Sequence, residues 1–186
     1  MSSESVSTTA PRRSRLAQLF AWFRDLSLSV VIAIIVILFL YQPVKVEGTS
    51  MMPALQDQER IFINKFVYRF GIDDVSRGDM VVFWYPNDPT KSYIKRIIGV
   101  PGDRIELDRG IVVLNGKALN EVYVPPQYRD QQSMPLTIVP PGDYFVLGDH
   151  RSSSSDSRAW GMVPRSFIYG KAVFIYWPFD KIGPLR

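Results

Sequence analysis

Leu26-Ser-Leu-Ser-Val-Val-Ile-Ala-Ile-Ile-Val-Ile-Leu-Phe-Leu-Tyr41 is a run of 16 residues without a charge. As a helix it rises roughly 24 Å at about 1.5 Å per residue, a little short of the roughly 30 Å hydrocarbon core of a bilayer. Trp22 and Phe23 extend it if Arg24 snorkels toward the headgroups. A removed signal peptide would be followed by a small-x-small cleavage site, and the exit here is Tyr41-Gln-Pro-Val-Lys45. A buried core helix would carry a polar face, and only Ser27 and Ser29 break the run. The stretch is therefore expected to be a transmembrane anchor. Arg12, Arg13, Arg15 and Arg24 precede it, whereas only Lys45 and Arg60 follow closely. The positive-inside rule then places the N-terminus in the cytoplasm and the rest of the chain outside the cytoplasmic membrane, on the periplasmic side. Residues 1–25 form a basic cytoplasmic tail, disordered over the Ser/Thr-rich Met1 to Thr9; 26–41 are the anchor; 42–186 make one extracytoplasmic domain.

Composition narrows the chemistry. Apolar residues make up 46% of the chain, which excludes a disordered protein. The absence of cysteine removes disulfides and thiolate chemistry without deciding the compartment. The net charge of +4 owes much to the tail arginines, and the remainder is nearly balanced, so no nucleic-acid footprint is expected. One histidine and no cysteine leave no metal-ligand spacing, and no cofactor is called for. A monomer is expected.

Beyond Pro43 the pattern turns to strands. Arg60 to Phe66, Met80 to Tyr85 and Ser92 to Ile98 are β-branched and aromatic. A turn lies at Asn87-Asp88-Pro89-Thr90. Asp103 to Leu107 and Ile111 to Leu114 form a hairpin around Asp108-Arg109-Gly110, and Asn115-Gly116 marks a second turn. Val124 to Pro135 is a Pro/Gln-rich loop; Tyr144 to Leu147 and Ala172 to Trp177 are late strands. No stretch after Tyr41 keeps a helical period over ten residues, although Ser166 to Tyr169 suits one turn. The fold class is mainly β: an N-terminal transmembrane helix, then a closed or sandwich-like antiparallel β domain with a small β accessory lobe over about 103–139.

Gly48-Thr-Ser-Met-Met-Pro53 places a small serine between the strand-like Val44 to Glu47 and a proline that stops a helix. A serine hydroxyl is a poor nucleophile until a neighbour takes its proton. Lysine can do so once desolvation lowers its basicity from about 10.4. On an extended strand Tyr93, Lys95 and Ile97 share one face, so an aromatic and an aliphatic residue flank the Lys95 amine, while Arg96 points away.

Gly48-Thr-Ser-Met-Met-Pro-Ala-Leu55, Arg77-Gly-Asp-Met-Val-Val-Phe83, Tyr93-Ile-Lys-Arg-Ile-Ile-Gly-Val-Pro-Gly-Asp103 and Gly148-Asp-His-Arg-Ser-Ser-Ser-Ser-Asp-Ser-Arg-Ala-Trp-Gly161 together resemble the ordered motifs of bacterial type I signal peptidases. Gly170 to Trp177 resembles that family's closing strand. The resemblance implies a membrane-bound Ser/Lys endopeptidase that removes signal peptides from exported preproteins at the outer face of the cytoplasmic membrane. It implies that Ser50 is the nucleophile, Lys95 the general base and Ser154 the hydroxyl that orients the lysine. Asp156 with Arg158, and Arg96, match residues that hold the site. An oxyanion needs donors; the Ser50 backbone N–H is one. Gly48 stands where some family members carry a hydroxyl, so the second donor is unassigned. Substrates with small residues at the first and third positions before the cut are implied, and Val44, Val46, Met51, Leu55, Tyr93 and Ile94 are candidate pocket residues by position. Trp177, Pro178 and Phe179 suit either a bilayer contact or core packing.

Three other readings fit parts of the chain. Ser92-Tyr-Ile-Lys95 matches the S-x-x-K of penicillin-binding proteins, which requires a helix. His150 with Asp149 or Asp156 suits a Ser-His-Asp hydrolase. A membrane-tethered β domain that only binds a partner would need neither Ser50 nor Lys95.

Overall fold

A computed structural model describes residues 15–69 and 74–185. The tail residues Met1 to Thr9, with Arg12 and Arg13, lie outside the described residues. The chain divides into two units, residues 1–39 and 40–186.

The first unit contains helix α1 (Arg15–Leu40). It begins well before Leu26, so residues 15–25 of the expected tail are helical. The cause is local: Leu, Ala, Gln and Arg in that stretch are good helix formers, and adding turns to an existing helix is favourable where starting one is not. At its far end Tyr41 leaves the helix and opens a strand. The Ser29 hydroxyl donates back to the Asp25 carbonyl at 2.8 Å, which hides its polarity along the helix. Within α1, Arg15–Ile37 is long and apolar enough to cross a membrane, and none of it is buried.

The second unit is β. Its strands are β1 (Tyr41–Lys45), β2 (Arg60–Asn64), β3 (Met80–Tyr85), β4 (Asp88–Gly99), β5 (Arg104–Asp108), β6 (Ile111–Leu114), β7 (Lys117–Ala118), β8 (Met134–Ile138), β9 (Asp143–Leu147), β10 (Val163–Pro164), β11 (Ile168–Trp177) and β12 (Gly183–Pro184). Two short helices, α2 (Phe66–Arg69) and α3 (Ser157–Trp160), interrupt them. The large sheet runs β1-β2-β11-β3-β4-β9-β10 with β12 beside β11; the small one runs β7-β6-β5-β8. Neither closes on itself, so the open, two-sheet alternative holds over a barrel. The turn before β4 falls at Pro86-Asn87, and Asp88 already belongs to the strand. The single turn expected near Ser166 is a 3-10 turn at Arg165–Phe167.

The small sheet occupies the stretch expected to be an accessory lobe, but it shares a core with the large one. Ile105, Leu107 and Val112 pack with Ile98, Phe145 and Leu147. A second cluster sets Met51, Leu55, Ile61 and Ile63 against Val82 and Ala172; a third sets Val81, Phe83 and Ile97 against Val146 and Ile168.

Two unpaired edges position the site. Among the described residues, strand β1 pairs with β2 alone. Strand β4 pairs with β3 along most of its length, but with β9 only from Arg96 to Gly99. The stretch from Ser92 to Lys95 therefore keeps a free edge on that side.

Candidate active site

Ser50 sits in a turn just past β1. Gly48 enters it at φ +93, a conformation that glycine adopts without Cβ strain. The Leu55 N–H donates to the Met51 carbonyl at 2.9 Å, which turns both side chains into the core. Met51 and Leu55 are fully buried there and are not among the residues that border the unliganded cleft.

Lys95 lies on β4 opposite the buried Val81. Its side chain is 4% exposed. Nζ donates to Ser50 Oγ at 2.7 Å and to the Ile94 carbonyl at 3.1 Å, and lies 5.5 Å from the centre of the Tyr93 ring. Burial lowers its pKa to about 8, against the opposing pull of Asp156 and Asp149. Desolvation prevails because the nearest carboxylates are already committed to arginines. Around the pair opens a cleft of about 370 Å³ bordered by Val44, Val46, Tyr93 and Ile94, as the pattern suggested, and by Ile61, Val82 and Tyr169, which it did not reveal.

The segment after β9 closes the site from the other side. The His150 N–H donates to the Ser50 carbonyl at 3.0 Å, so this loop and the Ser50 turn are tied together. Gly148 allows that approach: a Cβ there would collide with the Ser154 hydroxyl and the Ser50 carbonyl. Gly148→Ala should cost about 1–3 kcal/mol by overpacking and lower cleavage, as thermal melts and rates on one preparation would record.

Asp156 caps α3 and is fully buried. It receives the Gly148 N–H at 3.0 Å and two bonds from the Arg158 guanidinium, at 2.8 and 2.7 Å. Arg158 also pairs with Asp130 and donates to the Arg151 carbonyl at 2.9 Å. Arg96 grips Asp149 through two bonds of 2.8 and 2.6 Å and donates to the Gly78 carbonyl at 2.9 Å. Arg151 pairs with Glu121, whose carboxylate also accepts from the Tyr123 hydroxyl at 2.9 Å. Arg96, Asp156 and Arg158, the residues expected to hold the site, are thus bonded to the loop that follows β9. Asp149, Arg151, Glu121 and Asp130 join them. Asp149 was visible in sequence only as a histidine partner, and Glu121 and Asp130 lie in a connection with no motif.

Ser154 differs from expectation. Its hydroxyl is buried against Gly148 without a hydrogen-bond partner among the described residues, while Ser155 borders the cleft. The Ile94 carbonyl holds the lysine instead.

The alternatives lose their geometry. Ser92 to Lys95 is strand, so Ser92 is not stacked over Lys95 by a helical turn. Asp149 and Asp156 are taken by arginines, and the His150 ring meets the Thr49 carbonyl at 3.2 Å and the edge of Tyr128. The Gly48 N–H is spent on Asp57 at 2.8 Å. The Ser50 N–H makes no hydrogen bond among the described residues and remains available to an oxyanion.

The family model described as signal peptidase, peptidase S26, matches residues 19–177. Signal peptidase I of Bacillus licheniformis is 35% identical over 173 residues, covering 88% of this chain and 91% of that one. Probable signal peptidase I-2 of a Synechocystis strain is 40% identical over 165 residues, covering 84% and 72%. A crystal structure of a signal peptidase I from Enterococcus faecalis aligns at 30% identity and a TM-score of 0.48, over 53% of this chain and 97% of that one. A buried serine–lysine contact beneath an apolar cleft, in a chain that matches this family over most of its length, leads to one conclusion: the protein belongs to the signal peptidase I family of serine peptidases, hydrolases that cleave signal peptides.

Proposed function

We propose that this chain is a membrane-anchored endopeptidase in which Ser50 attacks the scissile carbonyl and neutral Lys95 takes the hydroxyl proton. The observation that carries the reading is the 2.7 Å separation of Nζ and Oγ with the amine withdrawn from water. In the reactive form the bond reverses: the Ser50 hydroxyl donates to the uncharged amine, which then returns the proton to the leaving amine. The developing oxyanion is met by the free Ser50 N–H. The end of a signal peptide lies extended between the open edges of β1 and β4 and completes both as an added strand. The narrow apolar cleft favours small side chains beside the cut.

Helix α1 is the anchor, with its arginine-rich end in the cytoplasm and the β unit outside. Trp177 and Phe179, 43% and 74% exposed, are suited to the headgroup region.

The test is the pH dependence of preprotein cleavage by the full chain in detergent. Only the uncharged amine accepts a proton, so the rate should climb with rising pH through a midpoint of about 8 and level off above it. His150→Ala should keep that profile, because the bond from residue 150 to Ser50 comes from the backbone. A midpoint near the histidine range that vanishes in His150→Ala would overturn the assignment.

A further inference from the structure

A second cleft opens beside the first. Its volume is about 550 Å³, larger than the 370 Å³ around Ser50. Tyr169 borders both. The register of β11 on β3 shifts between Ile168 and Gly170, and such a bulge re-aims the side chain at its apex. The Tyr169 ring consequently lies 5.1 Å from that of Trp84.

The two clefts follow one another along the strands. On β1, Val44 borders the first and Gln42 the second; on β3, Val82 borders the first and Trp84 the second. Residues two apart on a strand share a face. A peptide extended along β1 crosses from one cleft to the other in about two residues, at roughly 3.3 Å each.

The chemistry of the walls is specific. Tyr68, Trp84 and Tyr169 supply aromatic surface. The Lys65 amine lies 5.6 Å from the centre of the Tyr169 ring, and the Arg165 guanidinium 5.2 Å from that of Tyr68. Neither cation has a carboxylate partner among the described residues. The described lining is therefore aromatic and carries two cations, while Asp79 behind the Tyr68 hydroxyl is paired with Lys171.

We propose that the second cleft extends the substrate groove, receives residues about five to seven before the cut, and discriminates there against basic side chains in favour of acidic and neutral ones. This rests on reading the Ser50 cleft as the peptidase site. A lipid phosphate would also meet cations and aromatics, but it gives no reason for the shared Tyr169 or for the two-residue step along both strands.

The experiment is a charge exchange. One preprotein is prepared with Glu or Lys at the fifth, sixth and seventh positions before the cut, and kcat/KM is measured for the full chain and for Lys65→Glu. Wild type should prefer the Glu form at one or more of these positions by about fivefold, the scale of one partly exposed charge pair, and Lys65→Glu should reverse that preference. A ratio taken within one preparation is unaffected by partial unfolding. Equal ratios in the two enzymes, or no preference in wild type, overturn the proposal. So does an unchanged ratio accompanied by weaker binding of Lys65→Glu to phosphatidylglycerol vesicles than to phosphatidylcholine ones, which would assign the cleft to lipid. Ser50→Ala run alongside separates the two readings: lost cleavage there with an unaltered ratio in Lys65→Glu removes the second cleft alone.

Discussion

Lys95→Met should lower preprotein cleavage by about 10³-fold while leaving the fold at least as stable as the wild type. Methionine fills a similar volume and carries no amine. What it removes is the amine 2.7 Å from the Ser50 hydroxyl, the base of the proposed mechanism. Removing a buried amine also lifts a desolvation penalty, so the melting temperature should stay or rise. Ser50→Ala should lose activity to a similar extent. The double variant should be little worse than either, because two groups that act as one unit are lost together. Single-turnover cleavage beside a thermal melt checks all three. Native-rate cleavage by Lys95→Met would remove the lysine from the mechanism.

The other large effect is on stability. Arg96 and Asp149 are 3% and 0% exposed and satisfy each other through two bonds. Arg96→Ala leaves a carboxylate in the interior without its counter-ion, and Asp149→Ala leaves a guanidinium, at about 3–5 kcal/mol each. At about 2–4 °C per kcal/mol for a domain of this size, melting should fall by roughly ten degrees. Replacing both, as Arg96→Met with Asp149→Leu, should recover much of that loss, because no unpaired charge remains. Activity should not recover in parallel. Asp149 precedes His150, whose N–H holds the Ser50 carbonyl. A double variant as unstable as the singles would show that the pair is not the source of the cost.

These expectations also mark what the residues disclose in order and what only folding reveals. Ser50 and Lys95 were legible although 45 positions apart, because each sits in a short motif whose chemistry makes sense only beside the other. Strand identity was legible wherever β-branched and aromatic residues clustered, as in β3 and β4. The start of α1 was not: residues 15–25 carry charges that read as tail, yet they are good helix formers attached to a helix already begun. Met51 and Leu55 looked like pocket residues by their nearness to Ser50, and a single helical turn sends them inward. Glu121 and Asp130 had no local signature at all. Their role comes from a connection in the small sheet that folds back onto Arg151 and Arg158, so that deleting Val124 to Pro135 removes Asp130 and with it a brace of the loop after β9.

The open margins of β1 and β4 have a further consequence. A row of bare amides and carbonyls suited to take up an extended peptide is equally suited to a stray strand from a neighbouring molecule, and with it to self-association. Pro43 and Lys45 on β1, Glu47 just past it and Lys91 on β4 stand exposed there. Proline withholds an amide, and charge is costly to cover. Proline and exposed charge along these margins disfavour strand pairing between copies.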